Sequence, residues 1–331
     1  MKHQAKAQEI RRRTLLQAAA MSASLAVPGV YAQSKGYPDK MVRIVVPSAP
    51  GGSLDLMARM MAQKLGERWN QTVVVENRPG ANFAVGTSYV AKSAPDGYTL
   101  LYCHDGVMAK NPALYPNLSY NPLTELTPVI CVVELYTLLY VRSNLPHDNL
   151  DSFLRALRAQ PNKLNHAVGG PSGSFISGLF KSLAGVEYID VPYKGAGPSM
   201  VALATGECDF TFADPGSAAS ILSSGRIRPL AVGSPKRLRL FPNLPALAEA
   251  VPEFDLSSWS GLIAPANTPD TVIRKINADV RVILAAESVK AQVEMLGLEV
   301  NPSSPEELAT RIRNDIRKWS KLVKERNLVA S

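Results

Sequence analysis

Met41-Val-Arg-Ile-Val-Val46, Pro47-Ser-Ala-Pro-Gly-Gly-Ser53 and Leu54-Asp-Leu-Met-Ala-Arg-Met-Met-Ala-Gln-Lys-Leu65 follow one another without interruption and decide the fold. The first segment is short and rich in β-branched residues, the composition of a buried strand. The third carries apolar residues at Leu54, Met57, Met61 and Leu65, a helical spacing. Between them lies a loop with two Pro and two Gly that ends on Ser53, which reads as an N-cap. A strand, a Gly-rich loop and a helix N-terminus make an anion site, because unpaired N–H groups point outward where the helix dipole is positive. The loop is neither a P-loop nor a Gly-x-Gly-x-x-Gly fingerprint, and many α/β proteins open with such a turn and bind nothing at it. Asp55 suits the dipole but would repel an anion unless it meets an amine or stays turned away.

Working outward toward the N-terminus, residues 1–32 read as a signal peptide. Lys2, Lys6, Arg11, Arg12 and Arg13 precede an Ala-rich apolar run, and Val30-Tyr-Ala32 is a small-x-small cleavage site. Arg12-Arg13-Thr14-Leu15-Leu16 has the twin-arginine form, and an Arg-rich Sec leader is the alternative. Either predicts export to a bacterial periplasm. The leader holds five basic residues and one acid, so the formal charge of +8 falls to +4 in the remaining 299 residues. No basic cluster is interleaved with aromatics, so nucleic acid is not an expected partner. The exported chain is long enough for two domains, and it is expected to be a soluble monomer. Cys103, Cys131 and Cys208 lie in apolar runs and read as buried thiols, with a Cys103–Cys131 bridge as the alternative.

Toward the C-terminus the chain alternates. Strands are predicted at 71–77 and 98–103, the turn Pro95-Asp-Gly97 preceding the second. Asn111-Pro, Tyr115-Pro, Asn121-Pro and Thr127-Pro break the next section into turns. The apolar run 129–141 is long for one strand and reads as a strand crossing into a second domain. From residue 148 the order becomes regular: strands at 164–168, 186–193, 210–213 and 228–233 alternate with helices. The loops 169–174, 194–197 and 214–217, each rich in Gly or Ser, lead into those helices. That rhythm implies a parallel sheet with its loops gathered at the carboxyl edge, where open α/β sheets bind ligands. Residues 259–265 read as the return crossing. Ser304-Pro-Glu-Glu307 is a capping box opening a last helix whose Arg and Lys residues read as its solvated face.

Little points to an enzyme. His104, His147 and His166 have no Cys, His or carboxylate neighbours at metal-ligand spacing, so no metal site is expected. Gly170-Pro-Ser-Gly-Ser174 misses the nucleophile elbow. His104, at a strand end, is the one candidate base, and nothing orients it. No catalytic residue and no cofactor is expected.

Several motifs resemble a known family. Tyr37-Pro-Asp-Lys-Met-Val-Arg-Ile-Val-Val-Pro-Ser-Ala-Pro-Gly-Gly-Ser-Leu-Asp55, Val73-Val-Val-Glu-Asn-Arg-Pro-Gly80, Ala94-Pro-Asp-Gly-Tyr-Thr-Leu100, Asn111-Pro-Ala-Leu-Tyr115, Val191-Pro-Tyr-Lys-Gly195 and Gly261-Leu-Ile-Ala-Pro265 are similar, in the same order, to Bug-type proteins. These are the periplasmic solute-binding components (TctC-like) of tripartite tricarboxylate transporters. The resemblance implies an α/β flytrap of two domains, each a mostly parallel sheet flanked by helices, joined by crossing strands. Residues 34–139 with 260–331 would form domain 1 and 140–259 domain 2. It also implies a carboxylate ligand held by Ser48, Ala49, Gly51, Gly52 and Ser53 from one side. From the other side Gly170, Ser172, Gly173 and Ser174 would hold it, with Lys194, Gly195 and Asp214 at the rim. Three departures bear on the site. Ala81-Asn-Phe-Ala84 replaces the usual Ala-Gly-Gly-Asn, which places Ala81 and Phe83 by the ligand. The second-domain Ser/Gly loop is about two residues short and contains Pro171. Phe212-Ala-Asp214 replaces Phe-Asp-Asn, so the acid moves one position. Phe83 and Phe175 add apolar surface, and the ligand expected is a carboxylate with an apolar or aromatic body.

The function these readings imply is capture of a small organic carboxylate and its delivery to membrane permease subunits. A ligand-dependent sensor docking on a membrane receptor, or a periplasmic hydrolase, are the alternatives.

Overall fold

The computed structural model describes residues 36–325, so the signal-peptide reading lies outside the described residues. The compact unit that begins at Lys40 holds two sheets. In the first, β1 (Val42–Val46) lies between β2 (Val73–Asn77) and β3 (Thr99–His104), both parallel to it. β10 (Ser258–Pro265) runs antiparallel to β3 and to β4 (Leu126–Leu135), and β11 (Glu299–Val300) closes that edge. The second sheet has the order β7-β6-β8-β5-β9, with β5 Leu138–Arg142, β6 Asn165–Gly169, β7 Ile189–Tyr193, β8 Phe210–Ala213 and β9 Ile227–Val232. β6 is parallel to β7 and β8, while β5 is antiparallel to its neighbours.

The apolar run 129–141 is therefore two strands. β4 ends in the first sheet, Tyr136-Thr137 breaks the ladder, and β5 begins the second. The return crossing is β10.

Helix α1 (Ser53–Trp69) buries Leu54, Met57, Met61 and Leu65, the four residues whose spacing predicts it. Its N-cap is Gly52 rather than Ser53, which is already helical. α2 (Ala84–Ala91) follows β2. A π-helical turn, Gly106–Lys110, and the short α3, Asn111–Leu114, precede the section expected to break into turns, which does so over residues 115–125. The Asn111 N–H bonds the Gly106 carbonyl five residues back.

In the second half, α4 (Leu150–Ala159), α5 (Gly170–Ala184), α6 (Ala196–Thr205) and α7 (Pro215–Leu222) cover the sheet. α5 begins at Gly170, so the Ser/Gly stretch read as a loop is its first turn; Gly170 makes the bend with φ +75°. α8 (Asp270–Ala285), α9 (Glu287–Met295) and α10 (Pro305–Glu325) return to the first sheet. The capping box opens α10: Glu307 N–H donates to Ser304 Oγ at 3.1 Å and Ser304 N–H to Glu307 at 2.7 Å. Two cations read as its solvated face are tied down instead. Arg311 pairs bidentately with Glu134, and Lys318 lies 2.6 Å from Asp255 of the other half. Trp319 is fully buried and meets Phe175 of α5 edge-on at 5.2 Å, so α10 and the second half share a core. Cys103, Cys131 and Cys208 are buried and unbridged.

Candidate functional site

Three loops of the first sheet leave the carboxyl ends of its parallel strands, and each is braced differently. After β1, the Asp55 carboxylate accepts the Gly51 N–H at 3.0 Å, Arg59 Nε at 2.9 Å and Asn77 Nδ2 at 2.9 Å. Burial pushes this carboxyl up, but the bonds from Arg59, Gly51 and Asn77 outweigh that and hold it below the usual range. Asp55 is thus turned into its own loop. The first turn of α1 has no side-chain cap, leaving its N–H groups open at Ser53. Behind it, Ser48 Oγ is buried with no partner among the described residues.

After β2 the chain makes a left-handed turn through Ala81, Asn82 and Phe83, at φ 45°, 48° and 72°. Asn tolerates this region; Phe does so at a cost of about 1–2 kcal/mol. Asn111 Nδ2 holds the turn through the Asn82 carbonyl at 2.7 Å, and Thr87 Oγ1 holds it through the Phe83 carbonyl at 2.8 Å. The held conformation delivers the Phe83 ring edge-on to His104, centroids 4.9 Å apart.

After β3 comes a buried polar cluster. Lys110 Nζ is 2.9 Å from Asp105 Oδ2, and the Ser258 hydroxyl donates to Asp105 Oδ1. Burial pushes the Asp105 carboxyl up, but Lys110, His104 and Ser258 together hold it below the usual range. His104 Nδ1 accepts the Gly106 N–H at 2.9 Å, which leaves the ring proton on Nε2. Burial pushes the His104 pKa down, which agrees with an Nδ1 that accepts a hydrogen bond. A Cβ on Gly106 would lie 2.5 Å from His104 Cε1, so only glycine admits the ring here.

On the second sheet the helices after β6, β7 and β8 start at one edge. A Cβ on Gly170 would lie 3.9 Å from Gly195 Cα, which shows how close the first two starts lie. The start of α5, like that of α1, has no side-chain cap. α7 does: Asp214 accepts the Ser217 N–H at 2.9 Å and the Ser217 hydroxyl at 2.5 Å.

These elements enclose a cavity of about 360 Å³. Four of the residues singled out in the sequence line it: Ser53, Phe83, Ser172 and Asp214. Phe175, noted for its apolar surface, lines it too, with Leu114, Leu135, Ile176 and Leu256. Ser48, Ala49, Gly51 and Gly52 form the loop behind Ser53, and Ala81 opens the left-handed turn; none of these lines the cavity. Gly170, Gly173 and Ser174 lie in the first turn of α5, Gly195 caps α6, and Lys194 is exposed; these are not on the wall either. The sequence reading missed Asp105, Lys110, Asn111, Thr137 and Ser258, and it set His104 aside; all of them line the wall. Among the described residues no group of three or more His, Cys, Asp or Glu is placed to hold a metal ion, and no helix is long and apolar enough to cross a membrane.

The model of the family described as tripartite tricarboxylate transporter family receptor (TctC) matches residues 57–328. The protein BugT of Bordetella pertussis is 32% identical over 318 residues, covering 92% of this chain and 98% of BugT. An R. palustris protein solved with adipate superposes with a TM-score of 0.78 at 33% identity, covering 88% of this chain and 99% of that one. MatC from Rhodopseudomonas palustris, solved with bound malate, gives 0.73 at 31% identity, over 87% and 100% of the two chains.

Proposed function

The chain belongs to the tripartite tricarboxylate transporter receptors of the Bug/TctC family, with their two-domain periplasmic binding protein fold, and from that premise we propose that it captures a small organic carboxylate and hands it to a membrane permease. The family and fold are those of solute-binding receptors, not of enzymes. The observation that carries the reading is that two helix N-termini without side-chain caps, at Ser53 and Ser172, reach one cavity from different sheets. Each offers N–H groups and the positive end of a dipole to an anion. The adipate and malate seen in two relatives support a carboxylate as that anion.

We read 34–139 with 260–331 as one lobe and 140–259 as the other, a division that the strand membership of the two sheets supports to within two residues. A ligand touching both lobes favours the closed form, by hinge closure. Ser48, Ala49, Gly51, Gly52, Gly170, Gly173 and Ser174 then shape the two helix starts, while Phe83 and Phe175 cover the ligand's apolar body. Lys194, Gly195 and Asp214 stay at the rim. The chain acts in the periplasm.

A thermal-shift screen of aliphatic and aromatic carboxylates tests capture. A ligand at about a hundred times its Kd adds about 2.7 kcal/mol, a shift of several degrees. Uptake of that ligand by cells lacking the chain tests delivery: lost uptake supports it, and unchanged uptake overturns it.

A further inference from the structure

The charges on the cavity wall do not match a ligand with two carboxylates. Among the described residues that line the wall three carry charge, Asp105, Lys110 and Asp214, and none is Arg. The one cation is committed: Lys110 Nζ sits 2.9 Å from Asp105 Oδ2 and 4.8 Å from the centre of the Trp319 ring. Asp214 is satisfied by Ser217, which leaves its negative charge in place. The formal charge of the wall is therefore −1. A carboxylate can be met at a helix start. A second would meet no free cation and would add like-charge repulsion with Asp214.

The wall does offer an uncharged donor. The Nδ1–Cε1 edge of His104 is turned to Gly106, and Nε2 carries the proton with no partner among the described residues. Phe83 fixes the ring's pose from the side. This N–H is a free donor on the wall, and a ligand that covers the half-buried ring without supplying an acceptor would leave it unpaired.

We propose that the cavity selects a monocarboxylate whose remainder is uncharged and carries an oxygen acceptor for the Nε2–H of His104. The proposal rests on the carboxylate-capture reading above and narrows it. His104 is a specificity residue that touches the ligand, and Asp105, Lys110 and Ser258 act through it by fixing the turn that follows.

Isothermal titration calorimetry on protein unfolded and refolded to strip bound ligand tests it with matched probes. Monomethyl adipate is set against adipate, and 4-acetylbenzoate against terephthalate and 4-ethylbenzoate. The monoanion of each pair is expected to bind at least tenfold tighter than the dianion of the same skeleton. 4-Acetylbenzoate should also exceed 4-ethylbenzoate about tenfold, a gap that His104→Phe erases and His104→Gln restores. Adipate or terephthalate binding as tightly as its monoanionic partner overturns the charge argument and leaves carboxylate capture standing. An acetyl-over-ethyl gap that survives in His104→Phe overturns the role of His104. Binding of none of the five counts against both the proposal and the capture reading. The wild-type comparisons hold even where a variant fails to fold.

Discussion

Asn77 reaches across from the end of β2 to Asp55 in the first turn of α1, donating Nδ2 to Oδ1 at 2.9 Å while the same amide bonds the Ser48 carbonyl at 3.1 Å. The pair clamps the Gly-rich loop to the neighbouring strand and fixes the direction of the helix start. Asp55→Ala would leave the Gly51 N–H, the Asn77 amide and Arg59 without their shared acceptor. We expect a loss of about 2–3 kcal/mol, read as a midpoint several degrees lower in thermal unfolding. Carboxylate affinity should fall with it. A midpoint within one degree of wild type would show that the loop holds itself.

Gly297 packs against Pro215 at the start of α7. Its φ is +71°, and a Cβ there would lie 2.5 Å from Pro215 Cβ. Gly297→Ala is expected to cost about 1–2 kcal/mol for the left-handed backbone alone and to prop the lobes apart, weakening ligand binding at least tenfold. Adding Pro215→Gly should recover affinity without recovering all of the stability. If the second change restores nothing, the contact does not govern closure.

Arg239 bridges the halves at the surface, 2.7 Å from Glu294 and 3.1 Å from Glu299. It is two-thirds exposed, so its contribution to global stability is small. Its contribution to the balance of open and closed forms is not diluted in the same way. For Arg239→Ala we expect an unchanged unfolding midpoint and a larger radius of gyration in ligand-free small-angle scattering. An unchanged radius would remove it from the closing mechanism.

Stability should depend on pH in two stages. Burial pushes His104 and His166 below the ordinary 6.5, so the unfolded chain takes up protons first. Their contribution is complete above pH 6.5 and is lost as pH falls below it. Asp190 is pushed up by burial but pulled more strongly down, to about 2, by His166, Lys181 and Ser177, against an ordinary 3.8. That stabilisation is present above pH 3.8 and disappears toward pH 2. Urea unfolding from pH 8 to pH 3 should show both slopes, and His104→Phe should flatten the first. Equal slopes below pH 6.5 in the two proteins would place His104 in contact with water.

What the sequence made legible was what repeats. Leu54, Met57, Met61 and Leu65 announce α1 because burial on a helix recurs every three to four residues, and the strand–loop–helix rhythm after residue 148 announces a parallel sheet. The strand–loop–helix pattern marks the loops holding Ser53 and Ser172, while their part in a site, and that of Phe83, comes from the family resemblance and its departure at Ala81-Asn-Phe-Ala84. The polar cluster could not be read in either way. Asp105 and Lys110 are five apart, a spacing that faces one way only in a π-helical turn, and nothing periodic signals one. Ser258 joins Asp105 from 153 residues away. His104 looked like an ordinary strand-end residue because its tautomer is set by the Gly106 N–H, a backbone group that composition does not show. The direction of Asp214 was equally hidden: only the bend into α7 turns it onto Ser217. The nearest available signal was the run of Asn and Pro from Asn111 onward, which marks an irregular segment without saying what it gathers.

The most direct test of carboxylate capture at the paired helix starts is a calorimetric titration of ligand-stripped protein with the carboxylate that gives the largest thermal shift, in wild type and in Ser172→Asp. Aspartate in the first turn of a helix favours that helix, so the fold should hold its midpoint, while the new charge faces the ligand. One-to-one binding in wild type, weakened more than a hundredfold by Ser172→Asp at an unchanged midpoint, is the expected result. Undiminished affinity in the variant, or no carboxylate that binds the wild-type protein, would contradict it.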